Sequence, residues 1–134
     1  MDNMKNTLAV LLLATALSGC AGIMDLMPSH WDPNESAAIT DARYSAVKAD
    51  CVNPKIAEDL LKVQQRLDWL VLYTESKGSK DINKMLTPVK ETLDPLVQRA
   101  QQGGMSPAYC NLKMKIIRAE LDAVARGTNA RNMP

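Results

Sequence analysis

Between residues 56 and 74 the apolar side chains fall at Ile56, Leu60, Val63, Leu67 and Leu70, with position 74 next in line, so that gaps of four and three alternate. A strand would need alternation every second residue, and this run has none. A helix with a seven-residue repeat places all of these side chains on one stripe, which only neighbouring helices of similar pattern can cover. The boundaries are marked as well. Asn53 is a cap residue followed by Pro54 at the first helical position, and Gly78 follows the last turn. The repeat therefore predicts a helix over 54–77, widened by Leu61 and Val71, in an all-α protein.

Three further segments fit as its partners. Asp32-Pro33, with Glu35 placed to complete a capping box, starts a helix over 33–50 whose inner face is small: Ile39, Ala42, Ala46 and Ala49. Residues 80–102 carry Ile82, Met85, Val89, Leu93, Leu96 and Ala100, and stop at Gly103-Gly104. Pro88 and Pro95 interrupt that segment. Each removes a backbone donor and crowds the preceding turn, at a cost of about 3 kcal/mol in a helix interior. The segment is thus kinked at Pro88 and Pro95, or broken near Thr87, which could cap a fresh start. Ser106-Pro107 opens a fourth helix over 107–126, with Cys110, Met114, Ile117, Leu121 and Val124 on one face and Gly127 as its stop. Four amphipathic helices on short connections imply an antiparallel up-down bundle.

The cysteines bear on that topology. Cys51 lies at the first turn and Cys110 in the first turn of the fourth helix. An unbroken up-down-up-down order puts both at one end, so a disulfide can join them, whereas a reversal at Thr87 would carry Cys110 to the far end. The bridge would contribute roughly 4 kcal/mol on the chain-entropy account.

Composition agrees with helices and excludes several classes. The chain has no Phe, two Trp and three Tyr, against abundant Ala, Leu, Met, Lys, Gln and Glu. Its net charge of +1 is balanced and shows no basic cluster of the kind nucleic acid requires.

The leader decides where the protein is expected to reside. Residues 7–17 are apolar but cover about half the 20 residues that a spanning helix needs. They follow a short head that is more clearly basic if translation starts at Met4, and they end in Leu17-Ser18-Gly19-Cys20. This stretch resembles the lipobox of bacterial lipoproteins. The resemblance covers only the first 22 residues or so. It implies cleavage of the signal peptide 1–19, lipid on Cys20, and a lipidated tether over 20–32 ahead of the bundle domain 33–126. Ala21 in place of Asp implies onward sorting to the outer membrane of a Gram-negative envelope, with the domain facing the periplasm. That compartment is oxidising, which suits a Cys51–Cys110 bridge. The final stretch 127–134 is short and polar, and is expected to be a flexible tail, of which residues 128–134 can be deleted without changing the melting temperature or any bound partner.

The search for chemistry returns little. The single histidine, His30, precedes the bundle, so zinc sites, Glu-x-x-His di-iron sites and haem attachment motifs lack their ligands. Met85 and Met114 lie on apolar faces and are read as core rather than haem ligands. No Gly-x-Ser-x-Gly, P-loop or dinucleotide fingerprint occurs. Glu58, Asp59, Asp68 and Glu75 read as a solvated face, Glu58 being placed to pair with Lys62. Trp69 lies between Leu67 and Leu70 and is read as core, the other reading being a partner anchor. No metal, cofactor or catalytic residue is therefore expected. The expected function is that of a non-catalytic, membrane-anchored lipoprotein whose bundle binds another envelope protein as adaptor, assembly or exclusion factor. The alternative is a small hydrophobic-ligand carrier with a pocket between helices near Pro88.

Overall fold

The computed structural model describes residues 28–132. The leader, Cys20 and most of the expected tether lie outside this range. Four helices follow one another: α1 (Pro33–Lys48), α2 (Ile56–Lys77), α3 (Lys80–Gln101) and α4 (Pro107–Ala130). Each packs on its two neighbours in the cyclic order α1, α2, α3, α4 and back to α1. The result is the four-helix bundle that the apolar repeats predict. Among the described residues no helix is long and apolar enough to cross a membrane.

The repeats account for the core. Leu60, Val63, Leu67 and Leu70 of α2 are buried, as are Ile39, Ala42, Ala46 and Ala49 from the first segment and Cys110, Met114, Ile117, Leu121 and Val124 of α4. Position 74 is a threonine at a core site. Its hydroxyl donates to the Val71 carbonyl (2.8 Å) and accepts from Asn83 Nδ2 (3.3 Å), so the polar group is satisfied. On α3 the stripe is Ile82, Leu86, Val89, Leu93, Leu96 and Val97. Leu86 takes the place expected for Met85, which is only half-buried, because 82, 86, 89 and 93 keep the four-three rhythm that Met85 breaks.

α3 is one unbroken helix through both prolines. Pro88 and Pro95 are seven residues apart, hence on one side, and both are exposed. The carbonyls deprived of an amide donor therefore face solvent, and the apolar side of the helix is undisturbed. With α3 continuous, Cys51 and Cys110 come to the same end, where a disulfide joins them at a Cα–Cα distance of 5.7 Å. At this end Arg118 of α4 donates from Nε to the Ala46 carbonyl and from Nη2 to the Ala49 carbonyl, both at 3.0 Å, and so caps the last turn of α1.

Several boundaries differ from expectation. α1 ends at Lys48, and α2 begins at Ile56 rather than Pro54. Asn53 builds the intervening turn, its side chain accepting from the Lys55 amide (2.9 Å) and its carbonyl from the Ile56 amide (3.0 Å). α4 does not stop at Gly127 but runs on to Ala130. A Cβ on Gly127 would lie 3.0 Å from Met85 Sδ, so this glycine admits a neighbouring side chain and does not end the helix. Residues 127–131, expected to be a flexible tail, instead belong to the packed structure: Thr128 is 1% exposed and the Arg131 side chain 3%.

Candidate functional site

Trp69 is not core. It is 53% exposed, because the buried side of α2 is already filled by Leu67 and Leu70 and residue 69 points away from both. Its ring stacks on Tyr73, one turn further on, with centroids 5.2 Å apart and planes inclined by 16°. Tyr73 is itself fixed, since its hydroxyl donates to Asp32 Oδ2 at 2.8 Å. Lys77, a further turn along, lies 5.8 Å from the Tyr73 ring centre and 3.6 Å from the same Asp32 oxygen. Residues 69, 73 and 77 thus form a ladder along the outside of α2, tied to the first turn of α1.

Asp32 works twice here. It caps α1, accepting from the Asn34 amide at 2.8 Å through Oδ1, and it anchors Tyr73 through Oδ2. The Tyr73 hydroxyl, the Asn34 amide and the Lys77 charge hold the Asp32 carboxyl below its ordinary pKa, against the opposing effect of burial. Between this ladder and α1 runs a groove of about 510 Å³, with Ala37 and Ala38 of α1 and the Trp69 and Tyr73 rings of α2 among its lining. Asn34 and the Asp41–Arg66 ion pair (3.2 Å) supply its polar groups. An exposed Trp69 stacked on a half-buried Tyr73 beside small side chains, bordered by one acid and one base, suits docking of an apolar side chain from another molecule. It offers no nucleophile or general base aimed at a common point.

Next to this groove, at the end of the bundle away from the disulfide, lies a buried polar cluster. Arg131 Nη1 meets Glu35 Oε1 at 2.6 Å and Arg131 Nη2 meets Asp81 Oδ2 at 2.5 Å. Ser29 donates to the other Asp81 oxygen at 2.7 Å. Burial raises the Asp81 pKa, but hydrogen bonds from Arg131 and Ser29, with the Arg131 charge, outweigh it and leave the carboxyl below its ordinary value. Glu35 is fully buried, and its Oε2 has no partner among the described residues. It does not reach back to complete a capping box; its carboxyl is turned inward to Arg131. Four helix ends meet here, and Arg131 ties three of them: α1 through Glu35, α3 through Asp81, and its own α4.

The remaining sequence candidates are scattered. Glu58, Asp68 and Glu75 are exposed, and Lys62 pairs with Asp59 (3.3 Å) rather than with Glu58. Asp68 and Asp94 both pair with Lys90 of α3; burial lowers the Lys90 pKa but these two carboxylates raise it further, for a net upward shift. Met114 is buried and His30 exposed. A groove of about 440 Å³ between α2 and α3 is lined by Val71, Thr87, Lys90, Glu91, Asp94 and Pro95, together with Asn83. Among the described residues no three His, Cys, Asp or Glu side chains group closely enough to hold a metal ion.

Sequence reasoning missed Tyr73, Glu35 and Arg131. Tyr73 carried a readable signal, standing four residues after Trp69 and off the core stripe. Glu35 was legible only as half of a capping box and Arg131 carried no signal, because 96 residues separate the two. No protein-family model matches the chain, and no curated protein and no solved structure matches it.

Proposed function

We propose that this chain is a non-catalytic lipoprotein, lipidated on Cys20 and held at the periplasmic face of the outer membrane, whose bundle binds another envelope protein through the α1–α2 groove. The observation that carries the reading is the exposed Trp69, pre-oriented on Tyr73 beside Ala37 and Ala38. A Trp held in place before binding loses little side-chain freedom when it is covered, which is why such residues become binding hot spots. The carrier reading has less support. The groove nearest to the middle of α3 is open to solvent and does not enclose a ligand, and Pro88 is not among its lining residues.

Two measurements test the proposal. Mass spectrometry of the membrane-extracted protein should find an acylated Cys20 as the first residue, and Cys20→Ser should leave unprocessed precursor. A photo-crosslinker at Gln65, one turn before Trp69, should capture a discrete envelope protein, and adding Trp69→Ala should abolish the adduct while the melting temperature holds. A free amino terminus elsewhere would refute the anchor. Capture that is indifferent to Trp69 would refute the groove.

A further inference from the structure

Charge is unevenly shared among the helices. α4 has four bases, Lys113, Lys115, Arg118 and Arg126, against two acids, Glu120 and Asp122. α2, diagonally across the bundle, has four acids, Glu58, Asp59, Asp68 and Glu75, against three bases. On the outer side of α4 the exposed apolar residues are Leu112, Ile116 and Ala119, and the exposed charges are Lys115 and Arg126. The acids of α4 are withdrawn to its edges. Asp122 is half-buried in its pair with Arg43 (2.6 Å), and Glu120 is half-buried with Oε2 turned in. We propose that the outer side of α4 is the face that the bundle lays on an anionic phospholipid surface.

Charge and chain length name the occupant. A helix side that mixes Leu and Ile with exposed bases, and keeps its carboxylates off the surface, suits the plane of anionic headgroups. α2 suits it least, because Glu58, Asp68 and Glu75 are all exposed there. Two large apolar side chains and two bases hold a protein on a membrane only weakly by themselves. A lipid chain supplies the local concentration that makes so weak a contact persist. The inference therefore rests on the anchor at Cys20 proposed above. The anchor also restricts orientation. The chain enters the bundle beside the end of α4, where Ser29 donates to Asp81 (2.7 Å) and Arg131 holds the other Asp81 oxygen. Pro28 is eight residues on from Cys20, and eight fully extended residues span about 28 Å. α2 alone has 22 residues and is about 33 Å long. Standing on the disulfide end would thus lift Pro28 further from the membrane than the chain from Cys20 reaches. Lying on α4 keeps it close. In that pose α2 and the Trp69 groove face away from the lipid, open to a partner.

The test separates the face from the anchor. The chain beginning at Cys20 is coupled through that thiol to a maleimide lipid, Cys51 and Cys110 being joined to each other, so the anchor is present whatever the cell does. It is placed on vesicles of phosphatidylcholine with phosphatidylglycerol, and its lysines are acylated in a short pulse. Lys115 should react at least about threefold more slowly than in the same chain without the lipid, and Lys62 on α2 should be unchanged. On phosphatidylcholine alone the protection of Lys115 should vanish. Leu112→Asp with Arg126→Glu should also abolish it, with an unchanged melting curve, and the change of lipid gives the answer if that variant fails to fold. Lys115 unprotected on the mixed vesicles, protection indifferent to phosphatidylglycerol, or Lys62 protected equally would overturn the proposal alone. A photo-crosslinker at Leu112 that captures a second copy or another protein in cells, and no lipid, would do the same. Absence of an acyl chain from Cys20 in cells would overturn the anchor and the proposal with it.

Discussion

Arg131 brings a guanidinium into the end of the bundle, where only its two carboxyl partners make it tolerable. Removing one member of a buried ion pair leaves the other without compensation, at a cost of about 3–5 kcal/mol. Arg131→Met should therefore lower stability by about 3 kcal/mol or more in urea titration. Glu35→Gln in the same chain should recover part of the loss by removing the stranded carboxyl. Truncation after residue 127 should destabilise comparably, the opposite of what a dispensable tail would do. The pKa of Asp81 is lowered in the folded state, so its stabilising contribution exists above the unfolded value near 3.9 and disappears as pH falls through the lower folded value. Asp81→Asn should thus reduce the melting temperature at pH 7, and the difference should begin to narrow only below about pH 4 and close once pH has fallen through the lower folded value. Glu120 of α4 has the reverse sign. Burial first, and the charge of Glu91 second, raise its pKa, and its Oε2 has no hydrogen-bond partner among the described residues. Stability tied to this group is present below about pH 4.3 and lost as pH rises through the higher folded value. Glu120→Gln should raise the melting temperature at pH 7 and leave it unchanged at pH 4.

At the scale of the helix, α3 shows that two interior prolines need not break an element. Their shared exposed side confines the damage to carbonyls that solvent can reach, and the buried stripe from Ile82 to Val97 compensates. Replacing either Pro88 or Pro95 by Ala should restore an amide donor and stabilise the protein by about 2 kcal/mol, the helix gain less the entropy that proline removes from the unfolded chain. Gly127 is the corresponding case in α4. Alanine there gains about 1 kcal/mol of helix propensity, and its Cβ would press on Met85 Sδ at 3.0 Å and Cε at 3.2 Å. These atoms are the flexible end of a half-buried side chain and can yield. Gly127→Ala should be mildly stabilising by chemical denaturation, whereas Gly127→Leu, which no small shift of Met85 accommodates, should be destabilising.

Across the whole molecule the two ends are held by different means. One is closed by the Cys51–Cys110 bridge and by Arg118 on the last carbonyls of α1; the other by the Arg131 cluster and the Asp32–Tyr73 contact. The bridge spans a sequence separation of 59 and should contribute about 4 kcal/mol, read as the loss in the double variant Cys51→Ala, Cys110→Ala under oxidising conditions. The polar end has no covalent closure. It should open first, and hydrogen exchange should report earlier loss of protection at Thr128 to Arg131 than at Cys110 to Met114.

Four helices, their order and the pairing of the cysteines were legible in the sequence, because each rests on local information: a four-three apolar rhythm, proline after a cap residue, glycine after a last turn. The small inner face of α1 was legible for the same reason. The tertiary structure alone decided which side of α3 its prolines occupy relative to its neighbours, that Gly127 admits Met85, and that Trp69 stays outside the core. It also decided the fate of Glu35. As a local motif, that residue reads as half of a capping box, a bond worth about 1 kcal/mol at a helix start. In the folded chain a buried guanidinium from 96 residues away meets it at 2.6 Å, and a charge-assisted bond out of water is the stronger claim on a carboxyl. Periodicity states which side of a helix is buried; it does not state what arrives from the other end of the chain to meet it.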